Sequence, residues 1–371
     1  MYRLRIRSGT LHVLKAGLLG IRGSGRTSVF DTLAHGNAFQ ADGTGRFTAR
    51  ATHLRPRDTR LERLAEIGRS RKTTRTVLEL IDYEGVGLGD RGGRQSEWIN
   101  SLQSLDLLVL VLPLFLHSDS TTGIVQSLDE TFAELILADL EMVENRCARI
   151  EEEFRRTARA ERSALEDEQS LFLRLRSILE SGQPLNAIAL STHESHRVRS
   201  FGFMTLKPLC FILNTSDNNV PAWASLQKTC SEKTRVATHS VVGFSAAIEF
   251  EATELPSAER EEIMNDIGIA SAPVTRISQA LTQTAMHLTV YTVGENEARA
   301  WSIPNGSCAI DFAATIHTDF AKRFIRAETV AFDQLNTAGS LVEAKKQGVV
   351  RQEGRDYEVK DGDVMEVLFS K

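Results

Sequence analysis

A short glycine-rich turn constrains the fold of this chain more than any other feature. Residues 20–28 read GIRGSGRTS, and they lie between the apolar run 11–19 and a helical pattern over 26–36. Farther along, 77–81 has a strand pattern, and 107–116 is almost wholly apolar. Parallel strands that are buried on both faces have that composition. Strands that alternate with helical segments predict an α/β fold.

The glycine turn has the spacing of a loop that wraps phosphate. Four residues separate Gly20 from Gly25, and Arg26 and Thr27 follow directly. Backbone N–H groups at the start of a helix and the helix dipole both favour anions. We predict that Arg26 reaches the terminal phosphates and that the Thr27 hydroxyl ligates Mg²⁺. The predicted nucleotide-binding residues of this loop are Arg22, Gly23, Ser24, Gly25, Arg26, Thr27 and Ser28.

The alternative interpretation is a tight left-handed turn without function. Phosphate-binding loops of this spacing usually carry lysine where this chain has Arg26. A guanidinium is broader and stiffer than an ammonium on a flexible stem, so it changes the geometry around a bound phosphate. The motif therefore predicts nucleotide binding without implying full catalytic competence.

Three further motifs follow predicted strands. Asp82 begins a DxxG motif, in which the aspartate holds Mg²⁺ through water and the Gly85 amide senses a γ-phosphate. Asn214 and Asp217 form an N-x-x-D motif for a nucleobase, and Ser245, Ala246 and Ala247 follow the next strand with backbone amides for the base pocket. Each motif alone is common in loops. Their order at strand ends predicts a P-loop nucleotide site, because ligands of such sheets bind there.

The chain length of 371 residues predicts two or three domains. Residues 129–181 contain neither Gly nor Pro, and apolar residues recur there at helical spacing until a break at 157–163. This pattern predicts a helical hairpin, either a solvated coiled coil or a binding arm, with the coiled coil slightly favoured. We predict a P-loop domain over 1–128 and 206–285, a helical insertion over 129–205, and a small β domain over 286–371.

The sequence also predicts local structure at three places. Residues 37–60 are expected to be an exposed loop, and 315–328 to mix helix with turn. Asp361-Gly362 is expected to form a turn between two apolar runs.

Composition excludes several classes of protein. The net charge of −5 argues against a generally basic nucleic-acid binder. The four cysteines form no CxxC pair, which favours a reducing, cytoplasmic compartment. No apolar run reaches the length of about 18 residues that spans a bilayer. The N-terminal arginines before 11–19 mimic a signal peptide, but a buried first strand is favoured because Lys15 interrupts the run and no cleavage site follows.

The histidines offer no HExxH-type spacing for a transition metal. His317 with Asp319, and Arg326 with Glu328, have no partner cluster for acid–base chemistry, so structural or surface roles are favoured for them.

Together these motifs resemble the Obg-like ATPases, also called YchF proteins. The resemblance covers nearly the whole chain and is strongest at AATIHTDFAKRFIRAE (313–328) and EGRDYEVKDGDVMEVLF (353–369), which look like the family's terminal TGS domain. Shorter matching segments in family order are RLERLAEI (60–67), ETFAELILADLE (130–141), FMTLKP (203–208), SAAIE (245–249) and ARAW (298–301). The resemblance implies a G domain with a helical insertion, a β-grasp TGS domain, ATP or GTP hydrolysis with Mg²⁺, and a ribosome or ribosomal RNA partner. We expect a cytoplasmic monomer that does not contact membranes.

The chain departs from the family pattern at four places. Arg26 replaces the lysine of the phosphate loop, and Leu110 stands where the family has a histidine thought to help hydrolysis. No threonine-containing first switch is recognisable in 44–56, and Asp217 replaces the glutamate associated with ATP preference. Adenine and guanine therefore both stay open. Two functions remain: a regulatory ATPase or GTPase with slow hydrolysis, and a catalytically silent paralogue that binds partners through its helical arm and TGS-like domain.

Overall fold

The structure is a computed structural model, and it describes residues 13–41, 49–83, 101–117, 120–156 and 162–370. The chain divides into two compact units. One comprises Met1–Leu14, His53–Glu79 and Val274–Lys371, and the other comprises Lys15–Thr52 and Leu80–Pro273. His53–Glu79, which the sequence assigned to the P-loop domain, thus groups with the C-terminal residues. The three-domain division itself stays a prediction.

A seven-stranded sheet has the order β2-β3-β5-β1-β6-β7-β8. Its neighbours β1, β6, β7 and β8 run parallel, and β2 pairs antiparallel with β3. All seven residues of β6 are buried, as the apolar run predicted. This confirms the α/β prediction. The strands are β1 (Leu14–Leu19), β2 (Phe39–Gln40), β3 (Ala49–Leu54), β5 (Leu78–Tyr83), β6 (Leu107–Pro113), β7 (Leu209–Asn214) and β8 (Val241–Phe244).

A six-stranded sheet has the order β12-β11-β13-β9-β10-β4. Antiparallel pairs join β9 to β10 and β11 to both β12 and β13, whereas β13 runs parallel to β9. The strands are β4 (Thr73–Thr74), β9 (His287–Val293), β10 (Ala298–Pro304), β11 (Phe324–Ala331), β12 (Arg351–Glu353) and β13 (Asp363–Phe369).

Fourteen α-helices have both ends within the described ranges. They are α1 (Arg26–Ala34), α2 (Thr59–Gly68), α3 (Leu114–His117), α4 (Thr121–Arg156), α5 (Ser163–Glu180), α6 (Thr192–Val198), α7 (Trp223–Thr234), α8 (Ala246–Glu251), α9 (Ser257–Ile267), α10 (Pro273–Thr284), α11 (Ala309–Ile316), α12 (Thr318–Lys322), α13 (Phe332–Ala338) and α14 (Leu341–Lys346).

The helical hairpin is formed by α4 and α5, which pack along a shared apolar seam that includes Val143 and Leu175. Arg146 on α4 contacts Glu168 on α5 at 2.9 Å, with Nε and Nη2 donating to its two carboxylate oxygens. Helix α4 begins at Thr121, ahead of the predicted start at 129, and most of the predicted break at 157–163 lies outside the described residues. Asp139 attaches α4 to the segment at 204–205, because its buried carboxylate accepts hydrogen bonds from the Met204 and Thr205 amides at 2.7 and 2.9 Å.

Two local predictions were wrong, and a third, the turn at Asp361-Gly362, is confirmed. Residues 37–60 are not one exposed loop, because β3 lies there with Ala49 and Ala51 buried, and α2 begins at Thr59 behind the capping carboxylate of Asp58. Residues 324–328, expected to be helix or turn, belong to β11. The Asp361-Gly362 turn is present with Gly362 at φ +84°, but only the segment after it forms a strand.

Candidate functional site

The glycine loop connects β1 to α1, as the sequence predicted. Gly23 and Gly25 both have φ of +81°, a left-handed conformation that glycine adopts without a Cβ penalty. Gly25 caps α1, so the first turn of that helix begins at Arg26. A Cβ on Gly20 would overlap the Ser24 hydroxyl, and one on Gly25 would overlap the Asn214 amide nitrogen. The loop is therefore closely packed at both glycines of the motif.

Asn214 joins the glycine loop to the segment after β8. Its Nδ2 donates to the Ser24 carbonyl at 3.0 Å, and its Oδ1 accepts from the Ala246 amide at 3.1 Å. The side chain lies at the end of β7 and is only 2% exposed. Because both ends of the amide are used, Asn214 fixes the glycine loop relative to the segment after β8.

Asp217 is exposed and accepts a hydrogen bond from the Ser245 hydroxyl at 3.0 Å. Ser245 is buried, and its amide donates to Glu249, a buried carboxylate on α8. This carboxylate is a partner that the sequence did not predict. The Ser245 hydroxyl therefore holds the exposed Asp217 carboxylate beside the start of α8.

Arg26 contacts the other predicted site residue, Asp82. Arg26 Nε lies 2.8 Å from Asp82 Oδ1, and Arg26 Nη2 donates to the Tyr83 carbonyl at 2.8 Å. Asp82 lies near the end of β5 and is 1% exposed, while the Arg26 side chain is 12% exposed. The residue predicted to reach phosphate and the residue predicted to hold metal thus form a buried ion pair.

Arg50 is a site residue that sequence analysis missed. It lies on β3, and its Nη2 contacts Asp82 Oδ2 at 3.2 Å while its Nη1 contacts Asp31 Oδ1 at 2.8 Å. The guanidinium also lies over the Phe30 ring, 4.7 Å from its centroid. Burial opposes the charge of Arg50, but its hydrogen bonds to the two carboxylates raise its pKa. The available sequence signal was an arginine within 44–56, where the first switch was expected. Its partner Asp82 could not be named from the sequence, because the contact depends on the order of the strands in the sheet.

The arrangement around Asp82 does not fit a metal ion at this carboxylate. Each of its two oxygens lies against a guanidinium, so a divalent cation would have to displace Arg26 or Arg50. Among the described residues, no group of three or more His, Cys, Asp or Glu side chains is placed to hold a metal. The predicted ligand Thr27 is exposed on the first turn of α1.

The remaining predicted residues have these positions. Arg22 and Gly23 are exposed in the glycine loop, Ser28 lies on α1, and Ala247 is exposed on α8. Ser28 supplies a carbonyl to the Thr32 hydroxyl. Gly85 lies outside the described residues. Leu110 is fully buried on β6, so the strand presents an aliphatic side chain at that position.

His317 and Asp319 have a local structural role. The His317 Nδ1 accepts from the Asp319 amide at the start of α12, which satisfies a helix N-terminal donor.

Within the described part of the chain, no helix combines the length and apolarity needed to cross a bilayer.

The comparisons with known proteins agree with one another. Residues 288–370 match the YchF-GTPase C-terminal family profile, described as a protein of unknown function (DUF933). "Ribosome-binding ATPase YchF" of Escherichia coli O157:H7 is 30% identical over 370 residues, covering 96% of this chain and 99% of that protein. The Bacillus subtilis (strain 168) protein of the same name is 28% identical over 367 residues, with 96% and 99% coverage. The solved structure of the Schizosaccharomyces pombe YchF GTPase has the same fold, with a TM-score of 0.78 at 20% identity over 98% of this chain and all of that one. The match to the Escherichia coli O157:H7 protein, at 30% identity over nearly the whole of both chains, shows that the chain belongs to the YchF family.

Proposed function

We propose that this chain is a purine-nucleotide-binding regulatory protein of the Obg-like ATPase type, with slow hydrolysis and a ribosome-linked role. The observation that carries the proposal is the double hydrogen bond of Asn214, which joins Ser24 of the glycine loop to Ala246. It unites the predicted phosphate-binding and base-binding segments at the carboxyl ends of β1, β7 and β8. Ligands of open α/β sheets bind at such strand ends.

The glycine loop supplies the phosphate-binding part of the proposal. Its left-handed glycines and the N-terminus of α1 place backbone N–H groups and a helix dipole beside the same space. Arg22 through Ser28 are the proposed phosphate contacts, with Arg26 as the charged side chain.

The base-binding part consists of Asp217 and the amides of residues 245–247. The Asp217 carboxylate accepts N–H donors, and guanine presents two of them, at N1 and at its exocyclic amine. Adenine presents only its exocyclic amine to such an acceptor. The proposal includes both ATP and GTP as ligands.

Slow hydrolysis follows from the residues at two positions. Arg26 is held by Asp82 and the Tyr83 carbonyl, and Leu110 provides no side chain that orients water. Phosphoryl transfer depends on such positioning and on charge stabilisation. The ribosome-linked role rests on the names of the relatives, which are ribosome-binding ATPases.

Calorimetry with ATP, GTP and their diphosphates tests the binding proposal. We expect saturable binding of at least one triphosphate, and absence of binding at millimolar ligand would overturn the proposal. Phosphate release is then measured for the wild type and for Arg26→Lys. A gain of activity in that variant would identify Arg26 as the limiting residue, whereas no release from either protein would favour the catalytically silent scaffold.

Co-sedimentation with purified ribosomes tests the ribosome-linked role. The chain is expected to pellet with ribosomes in a manner that depends on the bound nucleotide. Equal recovery in the supernatant with and without ribosomes would contradict this part of the proposal while leaving nucleotide binding intact.

A further inference from the structure

Trp223, the first residue of α7, contacts the loop that carries two of the predicted base-binding residues. Its indole Nε1 donates to the Thr215 hydroxyl at 2.9 Å, and this hydrogen bond is buried. The indole also packs against Gly243 of β8, because a Cβ on that glycine would overlap the ring. A single side chain therefore contacts both the segment after β7 and the strand β8.

Thr215 is held by hydrogen bonds in both directions. Its amide donates to the Phe244 carbonyl at 2.9 Å, and its hydroxyl donates to the same carbonyl at 3.4 Å. The hydroxyl oxygen accepts from Trp223, and the residue is 3% exposed. An indole N–H can only donate, and a buried one usually has a partner. Loss of the Trp223 donor would leave Thr215 attached to Phe244 alone.

Thr215 lies inside the N-x-x-D motif, between Asn214 and Asp217. The Asp217 carboxylate accepts from the Ser245 hydroxyl at 3.0 Å, and Ser245 directly follows Phe244. The contacts of Trp223 thus fix the backbone two residues before Asp217. They also fix the strand end that leads to its hydrogen-bond donor.

We propose that Trp223 is the positioning residue of the 214–217 loop: its N–H fixes Thr215 and so places the Asp217 carboxylate for the N–H donors of a purine base. This inference rests on the proposed nucleotide-binding function. Hydrogen bonds weaken steeply with distance and angle, so a loop that shifts loses affinity for the base. The glycine loop is attached through Asn214 instead, so its contacts with phosphate depend less on Trp223.

Trp223→Phe removes the donor and keeps an aromatic ring against Gly243. Calorimetry on the full-length protein compares ATP, GTP and inorganic tripolyphosphate, which has the phosphates and no base. Displacement of bound nucleotide gives the tripolyphosphate value where its binding is weak. We expect affinity for the preferred purine nucleotide to fall about tenfold, and affinity for tripolyphosphate to change by less than about threefold.

Three results would overturn the inference and leave the proposed function standing. They are equal losses for nucleotide and tripolyphosphate, unchanged nucleotide affinity in a folded Trp223→Phe protein, and wild-type binding of tripolyphosphate as tight as that of nucleotide. Absence of nucleotide binding by the wild type would overturn the proposed function, and the inference with it.

Trp301→Phe is the matched control. The Trp301 indole Nε1 donates to the Thr292 hydroxyl at 3.0 Å, and both residues belong to the other compact unit. The control therefore removes an indole-to-threonine bond that has no connection to the 214–217 loop. Its affinities for all three ligands are expected to lie within about threefold of the wild type. A loss of nucleotide affinity as large as that of Trp223→Phe would attribute both losses to general destabilisation and overturn the inference.

Thr215→Val and Thr215→Ser test the other end of the same hydrogen bond. Valine removes the hydroxyl, so we expect the selective loss of nucleotide affinity seen with Trp223→Phe. Serine keeps the hydroxyl and is expected to stay within about threefold of the wild type. The double variant Trp223→Phe/Thr215→Val should lose no more affinity than the weaker single variant, because both changes remove one bond.

Additive losses in the double variant would contradict a shared hydrogen bond and overturn the inference. Circular dichroism checks that each variant is folded. If Trp223→Phe is unfolded, the comparison of Thr215→Val with Thr215→Ser decides: equal nucleotide affinities in these two variants would overturn the inference.

Discussion

Asn214 and Ser24 lie 190 residues apart in the chain and share a 3.0 Å hydrogen bond from the Asn214 amide to the Ser24 carbonyl. The bond is buried, and the other end of the same side chain accepts from Ala246. A single side chain therefore sets the distance between the two loops of the candidate site.

Asn214→Asp keeps the shape of this side chain but replaces the donor with an oxygen. Two oxygens would then face each other at Ser24, so we expect a loss of about 1–3 kcal/mol in the free energy of unfolding. Nucleotide affinity should fall as well. Urea unfolding and calorimetry check both effects. Asn218→Asp makes the same change at a nearby exposed position and is expected to alter neither quantity; equal effects in the two variants would contradict the role given to Asn214.

Gly25→Ala and Gly23→Ala separate backbone strain from packing. Both glycines have φ +81°, so alanine at either position costs about 1–2 kcal/mol in the left-handed region. Only at Gly25 does the added Cβ also overlap the Asn214 side chain, since nothing lies within 4 Å of a Cβ at Gly23. We expect Gly25→Ala to be the more destabilised variant in urea unfolding. Equal losses would mean that the loop relaxes around the new methyl group.

Asp139 gives the hairpin a pH-dependent attachment. Burial raises the pKa of Asp139 to about 6 from its usual 3.8, although hydrogen bonds from Thr205 and Met204 act in the opposite direction. Because the folded-state pKa lies above the unfolded value, the proton-linked stabilisation is complete below about pH 4. It is lost as the pH rises to about 6, and amounts to roughly 3 kcal/mol.

Comparison of the wild type with Asp139→Asn isolates this effect from other titrating groups. The variant should be less stable throughout, and the difference in free energy of unfolding should shrink as the pH rises from 4 to 6. Asp129→Asn, at an exposed position on α4, is the control for the chemical change. Parallel stability curves for wild type and Asp139→Asn would show that Asp139 does not titrate in this range.

Asp217→Asn tests the base-binding assignment. A carboxylate accepts both guanine donors, whereas an amide can present a donor of its own toward them. We expect affinity for GTP to fall about tenfold or more and affinity for ATP to change by less than about threefold. Parallel losses for the two nucleotides would place Asp217 outside the base pocket.

The sequence predicted those parts of the fold whose signal is local. The apolar run of β6, the glycine turn before α1 and the Gly- and Pro-free hairpin each carry a pattern within one segment. Strand β3 was missed because two of its inward residues, Ala49 and Ala51, give a weak hydrophobic pattern.

The contacts of Arg50 depend on geometry that no local pattern contains. Its partner Asp82 is 32 residues away and is reached only because β3 and β5 are neighbours in the sheet. Spacing gave Arg26 and Asp82 separate roles and did not predict the ion pair that joins them.

Helix α2 has a consequence for the order in which the chain can fold during synthesis. Its apolar face, Leu61 and Leu64, shares a core with Tyr291, and the Tyr291 hydroxyl donates to Asp58 across 233 residues of sequence. At about 5–20 residues per second, the ribosome makes this partner on the order of 10–50 s after the helix emerges. Throughout that interval α2 lacks the strand that covers its apolar face. The nascent chain therefore carries an amphipathic helix whose apolar face is open to aggregation and proteolysis until the C-terminal partner is made.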